Sequence, residues 1–317
     1  LAAAITPRTR WLILNTPNNP CGAVYTREEL AAICEVLRAH PQVWLMTDEI
    51  YEHFVYNGAR HVSPLSVAPD LRERTLLVNG LSKAYAFTGW RIGYGAGPLE
   101  LIKRINLLLT QSATCASAMS QEAAVVALDG PQDCVAEAAK LFAKRCDRVM
   151  QLIGQIPGLS CVRPDGAFYT FVNVQGLLGQ ITPEGRELAS DVDVMEYFIM
   201  QAQVAVIDGT SYGCPGYLRI SFATSMDEIE NGFAAIAKAV AAYDSNFLQA
   251  TRDYRKAVEL LANDMNETPS MVSFAILDRH QNDYRAALEI LDRQKEAAER
   301  NFEDKVRRAR SEIDDAQ

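Results

Sequence analysis

The chain has 317 residues, 49% of them hydrophobic and 22% charged, with a formal net charge of −9. That balance, with no long lysine or arginine run in the first 240 residues, speaks against nucleic acid or an anionic membrane as the main partner and favours small metabolites. Seven scattered cysteines without a CxxC pair, and four histidines, point to no disulfide framework and no zinc site, so no metal is expected and the expected setting is a reducing cytoplasm.

The text opens at Leu1 in an alanine-rich segment without an initiator methionine, and it carries neither a basic-then-apolar leader nor an apolar run of about 18 residues. It reads as the later part of something longer. Over the first 130 residues, short apolar runs alternate with helical stretches, the pattern of βα units feeding a mostly parallel sheet. A strand is predicted over 11–15, followed by a turn of proline, asparagine and glycine. Thr26 with Glu29 makes a capping-box start for a helix running to about 37. Strands are predicted over 43–47, 75–79 and 91–94, and helices over 99–110 and 117–128.

From Pro131 the character changes to one long amphipathic helix, to about 156, and then short strands over 159–162 and 167–174. A helix over 192–203, strands over 204–207 and 218–222, and a helix over 227–242 complete a smaller α+β module. Beyond 244 the text turns charged and helical, with Leu277, Tyr284, Leu288, Leu291, Ala298 and Phe302 forming one apolar stripe of coiled-coil-like spacing. The expected division is therefore 1–130, 131–243 and a helical extension over 244–317.

The richest segment is 80–93, GLSKAYAFTGWRIG, where Lys83 follows a predicted strand end and Arg91 lies further along the same loop. In an open α/β sheet, ligands bind in the crevice at the carboxyl ends of the strands. A lysine held there beside low-dielectric walls loses proton affinity and becomes nucleophilic. Two more strands supply partners at equivalent ends: one finishes in Asp48, Glu49, Ile50 and Tyr51, the other runs into Asn19, Pro20, Cys21 and Gly22. Any one of these is ordinary turn material. Together they offer an amine for a carbonyl, a carboxylate for a ring nitrogen, donors for a phenolate oxygen and a guanidinium for a phosphate. The run Gly93, Gly95, Gly97 lacks GxGxxG spacing, meets Pro98 and has no acidic residue about 20 positions on, so a tight turn is preferred to a dinucleotide loop.

These motifs, in this order, closely resemble class I aminotransferases of the fold-type I pyridoxal 5′-phosphate (PLP) family, in particular the bacterial aspartate aminotransferase branch, over about residues 1–243. The resemblance implies a three-layer PLP-transferase large domain, here with an incomplete sheet, and a smaller α+β domain. It implies that Lys83 holds PLP as the internal aldimine and shuttles the proton, that Asp48 pairs with the ring nitrogen, and that Tyr51 and Asn19 hydrogen-bond the phenolate oxygen. It also implies that Arg91 contacts the phosphate and that Arg219, in the strand YLRISFA, clamps the substrate α-carboxylate, with Asn19 beside it. The activity implied is ping-pong transamination of L-aspartate with 2-oxoglutarate through pyridoxamine phosphate, by a cytoplasmic homodimer without nucleic-acid or membrane partners.

Two departures stand out. Gly80 occupies a position where some relatives place a phosphate-binding serine, and Asp208 one where relatives often have proline. Elements that the family places upstream of Leu1 have no counterpart in the tail. The alternatives are another fold-type I enzyme, an aromatic aminotransferase or a β-lyase, and an impaired fragment acting as an interaction protein through its helical tail.

Overall fold

The computed structural model describes residues 1–183 and 185–242. The predicted extension over 244–317 lies outside the described residues. Leu1–Gln180 and Glu187–Val240 form one compact unit holding two four-stranded sheets.

The first sheet is built from β1 (Trp11–Asn15), β2 (Trp44–Asp48), β3 (Thr75–Gly80) and β4 (Gly93–Ala96), in that spatial order. β1, β2 and β3 are parallel, and β4 pairs antiparallel to β3. Between β1 and β2 runs α1 (Arg27–Arg38), begun by a complete capping box: Thr26 Oγ1 accepts the Glu29 N–H at 3.2 Å, and Glu29 Oε2 accepts the Thr26 N–H at 2.8 Å. Helical spacing puts Leu30, Cys34 and Leu37 on one face. They close on Leu14, Val43, Leu45, Ala68 and Leu71, a fully buried layer under one side of the sheet. Ala68 and Leu71 arrive from the short helix α2 (Pro64–Val67) and the turn after it. Each buried leucine there stabilises the fold by about 1.5–3 kcal/mol. Strand alternation sends Leu14 inward and leaves Trp11 and Ile13 exposed on the other side.

The predicted strand over 91–94 shifts to Gly93–Ala96, because Arg91 adopts a left-handed conformation (φ 50°) that no strand accommodates. After β4 come α3 (Leu99–Ser112), α4 (Ala118–Asp129) and α5 (Asp133–Ile153). α5 starts later than its sequence pattern suggests. The Gln132 side chain is spent on closing α4, donating to the carbonyls of Ala127, Leu128 and Gly130 at 2.8–3.3 Å.

The second sheet is antiparallel, in the order β5 (Ser160–Cys161), β6 (Tyr169–Asn173), β8 (Tyr217–Ser221), β7 (Ile207–Asp208). α6 (Asp191–Tyr197) continues as a π-helical turn, Phe198–Ala202, and stops where Gln203 turns left-handed (φ 55°). That stop delays the strand expected over 204–207 until Ile207. Asp208 takes up a local role there, accepting the Ser211 N–H at 2.6 Å and its hydroxyl at 2.9 Å. A further helix, α7, covers 226–242. Among the described residues no helix is long and apolar enough to cross a membrane.

Backbone bonds of the segment before β6 join the sheets. The segment before β6 donates twice to the Gly22 carbonyl, from Asp165 N–H (3.1 Å) and Gly166 N–H (2.9 Å). It also exchanges bonds with residues 54–56, Tyr56 N–H to Asp165 O (2.8 Å) and Ala167 N–H to Phe54 O (2.9 Å). Gly22 has φ +69°, and a Cβ there would stand 2.4 Å from Pro164 Cβ, so only glycine fits this junction.

Candidate active site

Parallel register lines up the strand ends that matter. Asn15 stands opposite Asp48, and Asp48 opposite Val78, so β1, β2 and β3 release their following turns at one edge. Lys83 lies in the turn after β3, in a loop closed at its base by the pairing of Gly80 with Gly93. The two backbones approach so closely that a Cβ on Gly80 would meet Gly93 Cα at 3.1 Å, and one on Gly93 would meet Asn79 O at 3.1 Å. The Asn79 side chain locks the same corner, donating to Glu52 Oε1 (2.6 Å) and accepting the Gly80 N–H (2.7 Å).

Lys83 Nζ stands 5.8 Å from the ring centroids of both Tyr51 and Phe168. Tyr51 is buried, edge-on to Phe168 and Tyr169, and its hydroxyl lies 3.1 Å from that of Tyr169. Burial, reinforced by that hydrogen bond, holds the Tyr51 phenol far above its ordinary range and therefore protonated. Asp48 Oδ1 accepts the Ile50 N–H at 3.2 Å. Burial pushes its carboxyl up, the Ile50 bond and the Lys83 charge oppose the rise, and Glu49 adds to it.

Arg219 reaches the group from β8. Its Nη1 donates to Asn19 Oδ1 at 2.9 Å, and its guanidinium lies over the rings of Tyr169 (4.6 Å) and Tyr212 (5.5 Å). With Oδ1 engaged, the donating group of Asn19 is its Nδ2 amide. Among the described residues, Arg219 Nε is buried without a hydrogen-bond partner. Leaving a buried donor unpaired is costly, so an orphaned guanidinium nitrogen marks a position for an acceptor such as a carboxylate.

Of the six residues singled out from the sequence, Asn19, Asp48, Tyr51, Lys83 and Arg219 thus converge. Arg91 stands apart from their contacts: it is exposed, and its Nη1 donates to the Thr88 carbonyl at 2.9 Å. The donor set fits the ring of a pyridoxal cofactor and the carboxylate of an amino acid, while its phosphate end is not gathered in this geometry. Sequence reasoning gave no role to Phe168, Tyr169 or Tyr212, which wall the group. It also missed the support beneath Asp48. Glu49, 2% exposed, accepts from Thr47 Oγ1 (3.0 Å) and Ser63 Oγ (2.8 Å) and meets His61 Nε2 at 2.9 Å. Glu49, Glu52 and His61 bring donor atoms within 4.8 Å of one another; Glu49 is held by Thr47, Ser63 and His61, and Glu52 by Asn79.

The pattern of the family described as aminotransferase class I and II matches residues 1–236. An aspartate aminotransferase of Rhizobium meliloti (strain 1021) is 48% identical over 239 residues, 75% of this chain and 58% of that protein. A probable aspartate/prephenate aminotransferase of Rhizobium leguminosarum bv. phaseoli is 44% identical over 238 residues, 75% of this chain and 60% of its own. Among solved structures, the Rhizobium meliloti aspartate aminotransferase superposes with a TM-score of 0.74 at 48% identity, covering 76% of this chain and 60% of that one. An aromatic aminotransferase of Pyrococcus horikoshii OT3 gives 0.66 at 35%, covering 74% and 61%. The chain spans about three-fifths of the length of these relatives. On the extent of that match, the chain belongs to the class I and II aminotransferase family.

Proposed function

We propose that this chain carries the cofactor-binding half of a PLP-dependent aminotransferase, acting on L-aspartate with 2-oxoglutarate. When bound, pyridoxal phosphate supplies the carbonyl that captures an amino group and the ring that absorbs electrons. Lys83 provides the amine that holds the cofactor and the base that moves a proton at the substrate Cα. Asp48 would pair with the ring nitrogen. The Tyr51 hydroxyl and the Asn19 amide would donate to the ring oxygen; Arg91, expected at the phosphate, lies apart from this group, with its Nη1 on the Thr88 carbonyl. Arg219 binds the α-carboxylate, held in place by Asn19 and lying over the rings of Tyr169 and Tyr212. The observation that carries this reading is the convergence of Lys83, Asp48, Tyr51 and Asn19 around an arginine whose buried Nε lacks a partner.

The reading includes a division into a large domain over 1–130 and a small domain over 131–243, a ping-pong order, a homodimer and a cytoplasmic setting. Exposed apolar side chains on α3 and α4, among them Leu108, Met119 and Val126, support a covered face in the assembled enzyme. A second reading, transfer from aromatic amino acids, draws on the ring of Phe168 beside Lys83 Nζ. Supplying the chain with PLP, L-aspartate and 2-oxoglutarate tests the proposal. Oxaloacetate and glutamate in equal amounts are expected; faster turnover of phenylalanine than aspartate would favour the second reading, and no transfer while cofactor sits on Lys83 would overturn both.

A further inference from the structure

We propose that Tyr169 is a positioning residue of this site, fixing the Tyr51 hydroxyl as a donor toward the cofactor's ring oxygen with its own hydroxyl while steadying Arg219 with its ring. This rests on the PLP reading above and gives the Tyr169 hydroxyl a role that reading does not assign.

Tyr51 is 4% exposed and Tyr169 7%, with their hydroxyls 3.1 Å apart. Each phenol has one proton, so in a dry pair one donates and the other accepts. If Tyr51 donates to Tyr169, its only proton is consumed and none is left for a ligand oxygen. If Tyr169 donates, the Tyr51 proton is directed to a third atom, and a hydroxyl that accepts becomes a stronger donor.

The acceptors on offer set the direction. A neutral phenol oxygen is a weaker acceptor than the ring oxygen of the cofactor that the PLP reading places beside Tyr51. With that acceptor present the Tyr51 proton would turn to it, and the Tyr51 oxygen would accept from Tyr169. The Arg219 guanidinium, 4.6 Å from the Tyr169 ring centroid, packs on the same side chain.

The backbone explains why one residue reaches both partners. In the β6–β8 ladder, Phe171 stands opposite Arg219 and Tyr169 opposite Ser221, which places Tyr169 diagonally beside Arg219 on one face. The connection through 164–168 ties the start of β6 to Gly22 and to residues 54–56, carrying the Tyr169 hydroxyl to Tyr51. The tyrosine serving the cofactor and the arginine serving the substrate thus share one side chain.

The test is a double-mutant cycle of Tyr169→Phe and Tyr51→Phe, with Tyr169→Leu and Lys83→Ala as companions. The readouts are the pH titration of the visible band of Lys83-bound cofactor, the dissociation constant for PLP, and that for maleate, an unreactive dicarboxylate. Tyr169→Phe is expected to raise the band's apparent pKa by about one unit, because weaker donation to the ring oxygen leaves the bound cofactor more basic. It is expected to change maleate affinity by less than about threefold, since the ring that steadies Arg219 remains, whereas Tyr169→Leu weakens maleate binding about tenfold. In the Tyr51→Phe background, Tyr169→Phe is expected to move the band no further. An unmoved titration in Tyr169→Phe, or an equal shift in both backgrounds, would overturn the proposal. A wild-type chain with no band that Lys83→Ala removes would overturn the PLP reading and this proposal with it, an outcome distinct from an unmoved titration.

Discussion

Arg219 Nη1 donates to Asn19 Oδ1 at 2.9 Å, linking an inner strand of the second sheet to the turn that follows the first strand of the first. The bond fixes one arm of the guanidinium and leaves Nε buried without a partner.

A lysine at that position keeps the charge but loses the planar fork, the bond to Asn19 and the stacking on Tyr169 and Tyr212. Arg219→Lys is therefore expected to raise KM for amino and oxo acids about 10–100-fold, the loss of one charge-assisted bond of about 1.5–3 kcal/mol. PLP affinity is expected to stay within about threefold, since Arg219 is assigned to the substrate. Steady-state kinetics beside a spectroscopic PLP titration checks both.

Asp48 carries a structural cost beside its proposed use. Burial raises its carboxyl above the unfolded value, so the folded chain binds the proton more tightly than the unfolded one. Stability linked to this group is then highest below the unfolded value and falls as pH rises through the window up to the folded one. Asp48→Asn is expected to raise the stability of the cofactor-free chain at pH 7 by up to about 1 kcal/mol while weakening PLP binding at least about tenfold. Urea midpoints at pH 4 and pH 7, with PLP titrations, measure the two effects; the gain is expected only at the higher pH.

Asp191 has the opposite sign. Burial pushes its carboxyl up, but hydrogen bonds outweigh burial: Oδ2 accepts the Thr210 N–H and Oδ1 the Thr210 hydroxyl, each at 2.7 Å, and the carboxyl ends below its ordinary range. Its contribution is complete above the unfolded value, about 3.9, and is lost as pH falls through the lower folded one. Asp191→Asn is expected to cost about 1–3 kcal/mol at pH 7 and progressively less in acid. Denaturant midpoints of the two proteins between pH 7 and pH 2.5 should converge.

The first layer of the core gives a test free of any functional reading. Leu30→Ala empties a fully buried position beneath β1 and β2 and is expected to cost about 2–5 kcal/mol. Thr26→Ala removes only the cap of α1 and is expected to cost about 1 kcal/mol. Thermal or urea unfolding ranks them.

Much of this arrangement is legible in the text of the chain, for reasons visible at particular residues. α1 announces itself through Thr26, Glu29 and the Leu30–Cys34–Leu37 face, all local signals. Asn19, Asp48 and Lys83 are legible because parallel strands release their turns at one edge, so position relative to a strand end becomes position relative to a ligand. Tyr169 is not legible in that way. It reads as one more aromatic in a small-sheet strand, and its role depends on a junction at Gly22 that brings together residues far apart in sequence. Glu49 is hidden for a related reason: alternation turns it away from Asp48, and its partners Ser63 and His61 lie beyond a turn that the sequence pattern leaves blank. The strand beginning at Gly93 escaped by two residues because glycine-rich text carries no side-chain alternation, and the left-handed Arg91 is a tertiary consequence.

Lys83 is the residue proposed to hold the cofactor. Incubating the chain with PLP, reducing with borohydride and mapping the added mass by peptide mass spectrometry tests it most directly. A single modified peptide containing Lys83, absent from Lys83→Ala, is the result predicted. Label spread over other lysines such as Lys103 and Lys140, or no label while the chain is folded, would contradict the claim.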